Sequence, residues 1–568
     1  MRKHDKMKML GIGLLIIIAV TVILTFFLVS TMTYPTETEV KESFDDSFTG
    51  TLSNAYIVSN CENEIIVLYH QKYYVANETA QSDYTGVADI EMEHGKIVKI
   101  QSKNGTVSGI LASYSPNTVQ IEGYQPLSCD ETLPVYYVNE EEESELQVRQ
   151  IAVSDLVIGN SNLDLIVANG RACAIVKRQS DKVDNIRVLL KNGSSLFYSN
   201  LYIKSNHSYT VDGKTKEAGT IVSAKECLKG CKSGEEIRIS TKNKGLLFLC
   251  DENGSKKNEG YEGDFILRKE KSEIVLINEL SIEDYVRYVL PSEMPTTFSY
   301  EALKAQAVCA RTFAYGQIHS DTYAKYGANL DDSTAFQVYH ATKSYAITDQ
   351  AVEDTEGMVL TYEGRLVDCY YYSTSPGYSE NLEVWDAESP DYLVAENHTK
   401  VKKSNLSRKK NFHKFITNEI ASYDADSPYY RWTATLSSKL GMDPELGKLK
   451  NMEVMERSES GYVLSLKVVF EDGERIYEKE NDIRFALGKY LLEVELADNT
   501  VQNDCRSIPS ACFEIKSQKD GTIILSGGGF GHGIGMSQYG ADAMAREGKN
   551  WKEILAYYYK GTELVEEK

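Results

Sequence analysis

Several signatures are missing from this 568-residue chain, and each absence removes a class of function. Its ten cysteines form no pair of Cys-x-x-Cys units and no Cys–His spacing of a structural zinc site. Its densest glycine run, Gly527 to Gly535, lacks the third glycine of the dinucleotide fingerprint and the Gly-Lys-Ser/Thr of a phosphate loop, so a nucleotide site is not expected. Positive charge is scarce: 61 Lys and Arg stand against 83 Asp and Glu, a formal charge of −22. That field repels nucleic acid and other polyanions. Finally, no small-x-small cleavage site follows the one long apolar run, Met9 to Val29.

That run carries no charge over 21 residues, and Arg2, Lys3, Lys6 and Lys8 precede it. About 20 apolar residues span a bilayer, and basic residues stay on the cytoplasmic side. The reading is a retained single-pass anchor with a cytoplasmic N-terminus and an extracytoplasmic body, preferred over a cleaved leader. Tyr outnumbers Phe by 38 to 16, which suits either β-strands or contact with polar polymers. The cysteines leave their pairing open. Cys227, Cys231, Cys505 and Cys512 sit in loop-like sequence, while Cys309 and Cys369 fall in apolar segments and read as buried.

Three regions are expected: 1–34, a cytoplasmic tip and transmembrane helix; 35–180, a β-rich extracytoplasmic region; and 181–568, a mixed body with helices packed on β-structure. The fold class is therefore α+β. In the second region short alternating runs such as Ile65–Tyr69 and Lys96–Ile100 are broken by turn signals. Glu140 to Glu145 reads as a solvated loop. In the third, Ser281 is a candidate N-cap, and Leu303, Ala307, Ala310 and Ala314 make a small-residue stripe on a helix after Ser299. Met358–Tyr362 and Leu366–Tyr372 read as a hairpin around Glu363-Gly364. Asn550 opens a last helix with a capping box.

One carboxylate stands out. Pro291-Ser292-Glu293-Met294-Pro295 sets Glu293 between two prolines, which predicts a stiff turn able to hold a catalytic acid in place. The other reading is an exposed surface glutamate. One turn further on, Lys304 and Arg311 are seven residues apart and share a helix face, either lining Glu293's site or solvated. His532, flanked by Gly531 and Gly533, has little bulk around it and is expected to reach into a cleft.

Together these residues carry a resemblance. Leu280 to Tyr285, Pro291 to Pro295, Glu301 to Ala307 with Ala310-Arg311-Thr312, Phe336-Gln337-Val338-Tyr339, Tyr372-Ser373-Thr374-Ser375 and Gly529 to Ala541 resemble, in order, the stage II sporulation protein D and amidase-enhancer family. The resemblance covers roughly residues 185 to 568. It implies a lytic transglycosylase that cleaves peptidoglycan glycan strands stripped of stem peptides, with Glu293 as acid/base. Lys304, Gln306, Arg311, Ser373, Thr374, His532 and Gln538 would orient glycan or support its loop. It also implies cell-wall amidases and wall-remodelling membrane proteins as partners, and leaves open a non-catalytic, amidase-stimulating binder or a scaffold. Some members carry zinc ligands around the Ser-Thr turn. The corresponding Tyr372 and Ser375 are poor ones, so no metal and no other cofactor is expected.

Overall fold

The structure, a computed structural model, describes residues 42–567 except 62–63, 78–83, 130–131, 140–147, 242–244, 341–344 and 520. The expected anchor at Met9–Val29 and the Glu140–Glu145 run lie outside the described residues. Among the described residues no helix is long and apolar enough to cross a membrane. The single transmembrane helix and the single-pass membrane location expected from sequence are therefore not supported. The α+β class is corrected as well. The described residues are β-rich, because alternating, turn-broken sequence continues far beyond residue 180. It includes a stretch from Trp432 to Gly527 that the sequence reading left unassigned.

Two sheets precede residue 180. A six-stranded sheet spans Glu42 to Ser102, and a seven-stranded sheet spans Gly105 to Lys177. A second seven-stranded sheet is built mainly from Asn185–Leu190, Glu236–Thr241, Asp264–Glu270 and Glu273–Ser281. It meets the preceding sheet through buried charges. Arg187 pairs with Glu122 and Glu279, and Arg268 Nη1 reaches Glu236 at 2.8 Å and Gln120 at 2.9 Å. Buried cations are tolerated only when paired in this way.

The strand Glu273–Ser281 runs straight into the helix Ile282–Glu293. The cap is the expected one: Ser281 Oγ accepts from the Asp284 N–H at 3.1 Å. The next helix, Tyr300–Gln317, is the centre of the largest core. Leu303, Ala307, Ala310 and Ala314 are buried as the stripe implied, but so are Ala302, Ala305, Val308 and Cys309. Helices Ile282–Glu293, Ala346–Glu353, Gln538–Arg546 and Trp551–Tyr558 pack around it, and small residues let them approach closely. The capping box at Asn550 and Glu553 is present.

The hairpin is shorter than expected. Met358–Tyr362 pairs with Arg365–Leu366 across Glu363 and Gly364, both at positive φ. Tyr371–Tyr372 instead pairs in parallel with Met536–Ser537. This non-local pairing, invisible to a local pattern, brings the glycine-rich segment to the middle of the molecule. Two further sheets, of five and three strands, lie between Trp432 and Gly527 and share their own core.

Candidate active site around Glu293

Glu293 is the last residue of the helix Ile282–Glu293. The expected turn between prolines is thus corrected: Pro291 is inside the final helical turn, and the Met294 N–H still closes onto the Leu290 carbonyl at 3.0 Å. Near a helix end a proline leaves few bonds to break. The stiffness comes from the helix, whose Tyr285, Val286, Val289 and Leu290 are buried.

The half-buried carboxyl accepts one hydrogen bond, from the Val338 N–H to Oε1 at 2.6 Å. Oε2 has no hydrogen-bond partner among the described residues. Burial raises the carboxyl from its ordinary value to about 7, and the Val338 bond pulls only partly against it. The negative end of the helix disfavours the carboxylate too. At neutral pH Glu293 is therefore close to half protonated, the condition for a group that must give and take a proton.

Its walls are neutral. Gln337 Oε1 accepts from the Tyr285 hydroxyl at 3.1 Å, while Gln337 Nε2 donates to the Tyr371 oxygen at 3.1 Å and to the Ala310 carbonyl at 3.3 Å. Burial, and next the charge of Glu293, hold both phenols well above their usual range. Tyr285, Gln337 and Tyr371 were not candidates from sequence. The available signal was a glutamine inside the apolar run Phe336–Tyr339, which a buried amide must satisfy on both ends.

His532 does not reach into a cleft. Its Nε2–H donates to the Tyr371 carbonyl at 3.0 Å and its Nδ1 accepts from the Ile534 N–H at 3.1 Å, which makes the ring neutral. Burial lowers it to about 4. Rings of Trp385, Tyr372 and Tyr370 surround it at 5.1, 5.6 and 6.3 Å between centroids. The imidazole thus props the backbone of Tyr371. The glycines serve that contact: Gly535 has φ +78°, and a Cβ there would stand 1.9 Å from the Tyr370 oxygen.

Ser373 and Thr374 continue the same seam. The Ser373 carbonyl accepts from the Tyr539 N–H at 3.1 Å. Thr374 exchanges backbone bonds with Phe530, and its hydroxyl meets Ser427 at 2.7 Å. Gln538 opens the helix Gln538–Arg546, and its Nε2 lies 3.5 Å from Gln306 Oε1. The Gln306 Nε2 is buried without a partner among the described residues.

The two cations behave differently. Lys304 pairs with Glu301 at 2.7 Å and lies over the Tyr300 ring. Arg311 is fully buried and makes a two-pronged pair with Glu283, 2.7 Å on each prong, while donating to the Val352 and Met358 carbonyls. Neither is bonded to Glu293 or to the groups that wall it. Glu293, His532, Ser373, Thr374, Gln306 and Gln538 thus gather along the Tyr371–Ser537 seam, and Lys304 and Arg311 do not.

The residues also do not fit the zinc set that the resemblance implied for some members. Tyr372 is enclosed in the core and the Ser375 hydroxyl accepts from the Gly377 N–H at 3.0 Å. Among the described residues no three His, Cys, Asp or Glu side chains gather as ligands.

Comparison with known proteins gives a consistent picture. A family model described as "Stage II sporulation protein" matches residues 270–362, the segment that holds Glu293 and Gln337. A second, a domain of unknown function, matches 379–535. The chain is 34% identical over 310 residues to the stage II sporulation protein D of Bacillus subtilis (strain 168), covering 51% of this chain and 76% of that one. It is 31% identical over 294 residues to the amidase enhancer of the same organism, covering 49% and 40%. An uncharacterized protein of Brachyspira hyodysenteriae is 29% identical over 333 residues, covering 58% and 78%.

Proposed function

The chain belongs to the stage II sporulation protein D family, and from that premise we propose that it acts on the cell wall as a lytic transglycosylase of denuded peptidoglycan strands. The observation that carries this reading is the state of Glu293: one carboxyl, raised to about 7, with one oxygen held and the other without a partner among the described residues.

Most glycosidases need two carboxyl groups. A lytic enzyme needs one, because the muramic acid C6 hydroxyl serves as internal nucleophile. Protonated Glu293 gives its proton to the glycosidic oxygen as the C1–O bond breaks. The C6 oxygen then bonds to C1 and yields its proton to the Glu293 carboxylate, which regenerates the acid. The products are a free hydroxyl end and a 1,6-anhydro end, with no water consumed. The Val338 N–H would hold the carboxyl, and Tyr285, Gln337 and Tyr371 would wall it off from competing charge. Of the seam, the partly exposed Ser373 would bear on the glycan, while the buried Thr374 and Gln538 would support its loop and His532 would fix Tyr371.

The test is to incubate the full chain with amidase-treated glycan strands and quantify 1,6-anhydro-muramyl ends by mass spectrometry. Glu293→Gln should lower their rate of appearance by at least about two orders of magnitude. Equal product from the variant would refute the assignment.

A second reading is favoured by the similarity to an amidase enhancer. In it the same seam binds glycan and a cell-wall amidase does the cutting. Strand length would then stay constant over hours with the chain alone, while added amidase would be accelerated by parent and Glu293→Gln alike.

A further inference from the structure

The basic residues that this chain has in short supply are concentrated in one stretch. From His398 to Asn418 there are seven Lys and Arg and no Asp or Glu, inside a chain of formal charge −22. The stretch comprises a loop and the helix Lys409–Thr417. That helix buries Phe412, Phe415 and Ile416 and leaves Lys410 and Lys414, one turn apart, exposed. Part of the charge is already matched. Lys400 pairs with Glu547 at 3.0 Å and His413 with Glu514 at 2.8 Å, Lys403 Nζ donates to the Ala395 carbonyl at 3.3 Å, and Lys409 lines a cleft with Glu453 and Glu456. Lys402, Arg408, Lys410 and Lys414 are exposed and make no ion pair among the described residues.

Helix stability does not call for these cations. Arg408 is the N-cap residue and forms no side-chain cap, and no acidic residue follows in the first turn, so Arg408, Lys409 and Lys410 crowd the positive end of the helix. That arrangement disfavours the helix and favours an anion beside it. The segment is also built onto the turn that leaves the Tyr371–Ser537 seam. The His398 N–H donates to the Gly377 carbonyl at 3.0 Å and the Ser404 N–H to the Tyr378 hydroxyl at 3.1 Å. Arg431 bridges the Pro376 and Phe415 carbonyls at 2.9 and 3.3 Å. Ser373 and Thr374 of the seam run directly into that turn, so the cations are carried on structure continuous with it.

We propose that Lys402, Arg408, Lys410 and Lys414 bind the lactyl carboxylates of the glycan strand and so select strands stripped of their stem peptides. This rests on the reading above only for its ligand, the denuded strand. While a stem peptide is attached, the lactyl group of a muramic acid ends in a neutral amide. Removal of the peptide leaves a carboxylate there, once per disaccharide. A stripped strand is therefore a regular polyanion, which the net negative body repels and this segment attracts.

The test titrates end-labelled denuded strands by anisotropy against the full chain carrying Glu293→Gln, so that no cutting changes the ligand. The control is the same strands with their carboxylates converted to methylamides, which restores the neutral amide without the peptide. Denuded strands should bind at least about tenfold more tightly, the worth of two exposed ion pairs. The preference should vanish near 1 M salt, where charges act only within about 3 Å. Lys410→Glu with Lys414→Glu should remove the preference and leave binding of methylamide strands unchanged, which also reports that the variant is folded. A poly(glycerol phosphate) of matched charge has no muramic acid to enter the Glu293 site and should bind at least about tenfold more weakly than denuded strands. No binding of denuded strands, equal binding of denuded and methylamide strands, a preference that survives the double substitution, or tighter binding of the phosphate polymer would each overturn the proposal. Anhydro ends formed by the parent are read separately. If they form without a carboxylate preference, this proposal fails and the lytic reading stands; if the preference is present without them, the reverse holds.

Discussion

The Val338 N–H donates to Glu293 Oε1 at 2.6 Å, and the residue just before it, Gln337, gathers Tyr285 and Tyr371 into the wall beside that carboxyl. Two neighbouring residues thus hold the carboxyl and build its surroundings. No cation bonds to Glu293 among the described residues, so nothing offsets burial except one amide dipole. A neighbouring arginine would have driven the carboxyl below its usual range and left it useless as an acid. Arg311 is nearby in sequence but is neutralised by Glu283.

The pH dependence of strand cleavage follows from that balance. The first step needs the protonated form of Glu293, whose ionisation is centred at about 7. Where bond breaking limits the rate, activity should fall above pH 7 toward about tenfold per pH unit. Initial rates of 1,6-anhydro end formation from pH 5 to 9 check this. A limb centred near 4.5 would mean that the carboxyl is not held as described.

Arg311 separates a structural role from a substrate-binding one. Arg311→Ala strands the Glu283 carboxylate beside a buried cavity and should cost about 3–5 kcal/mol of stability. Arg311→Lys keeps the charge but loses the two-pronged geometry, so it should fall in between. Denaturant unfolding measures both. If Arg311→Ala instead unfolds like the parent and loses glycan affinity, the arginine binds substrate, as the family resemblance implied.

What could be read from the sequence was local. The Ser281 cap, the Asn550–Glu553 box and the burial of Leu303, Ala307, Ala310 and Ala314 depend on residues a few positions apart, and each is present. Glu293 was marked by its flanking prolines, although the helix, not a turn, holds it. What could not be read was non-local. The parallel pairing of Tyr371–Tyr372 with Met536–Ser537 joins segments more than 160 residues apart and turns His532 from a cleft residue into a backbone prop. The pairing of Arg311 with Glu283 spans 28 positions across two helices, and a single helix face cannot show it.

The glycine-rich segment offers a paired comparison. Gly535 and Gly548 both have positive φ, +78° and +91°, but a Cβ meets the Tyr370 oxygen at 1.9 Å in the first case and open space in the second. Gly548→Ala should cost about 1–2 kcal/mol, the strain of the left-handed region alone. Gly535→Ala adds a backbone clash and should exceed about 4 kcal/mol or prevent folding. Thermal unfolding of the two variants side by side decides it, and equal losses would show that the segment does not lie flush against Tyr370.

Asp424 sets a pH dependence of stability. It is fully buried and accepts from the Ser375 N–H at 2.8 Å and from the Ser537 hydroxyl. Burial nevertheless raises it from 3.8 to about 7. The folded chain therefore keeps a proton that the unfolded chain releases between about pH 4 and 7. Over that window the unfolded state binds fewer protons, so stability falls as pH rises, by up to about 1.4 kcal/mol per unit. Below pH 4 both states are protonated, and above 7 both are ionised, so the slope from this group vanishes. Glu380, also buried and raised to about 7, titrates in the same direction, so the informative quantity is the difference between a variant and the parent. Asp424→Asn keeps an oxygen acceptor for Ser375 and Ser537 and removes the titration. Its stability relative to the parent should climb from pH 4 to 7 and level off above. Denaturant midpoints across that range measure it, and parallel curves would mean that Asp424 keeps an ordinary carboxyl in the folded chain.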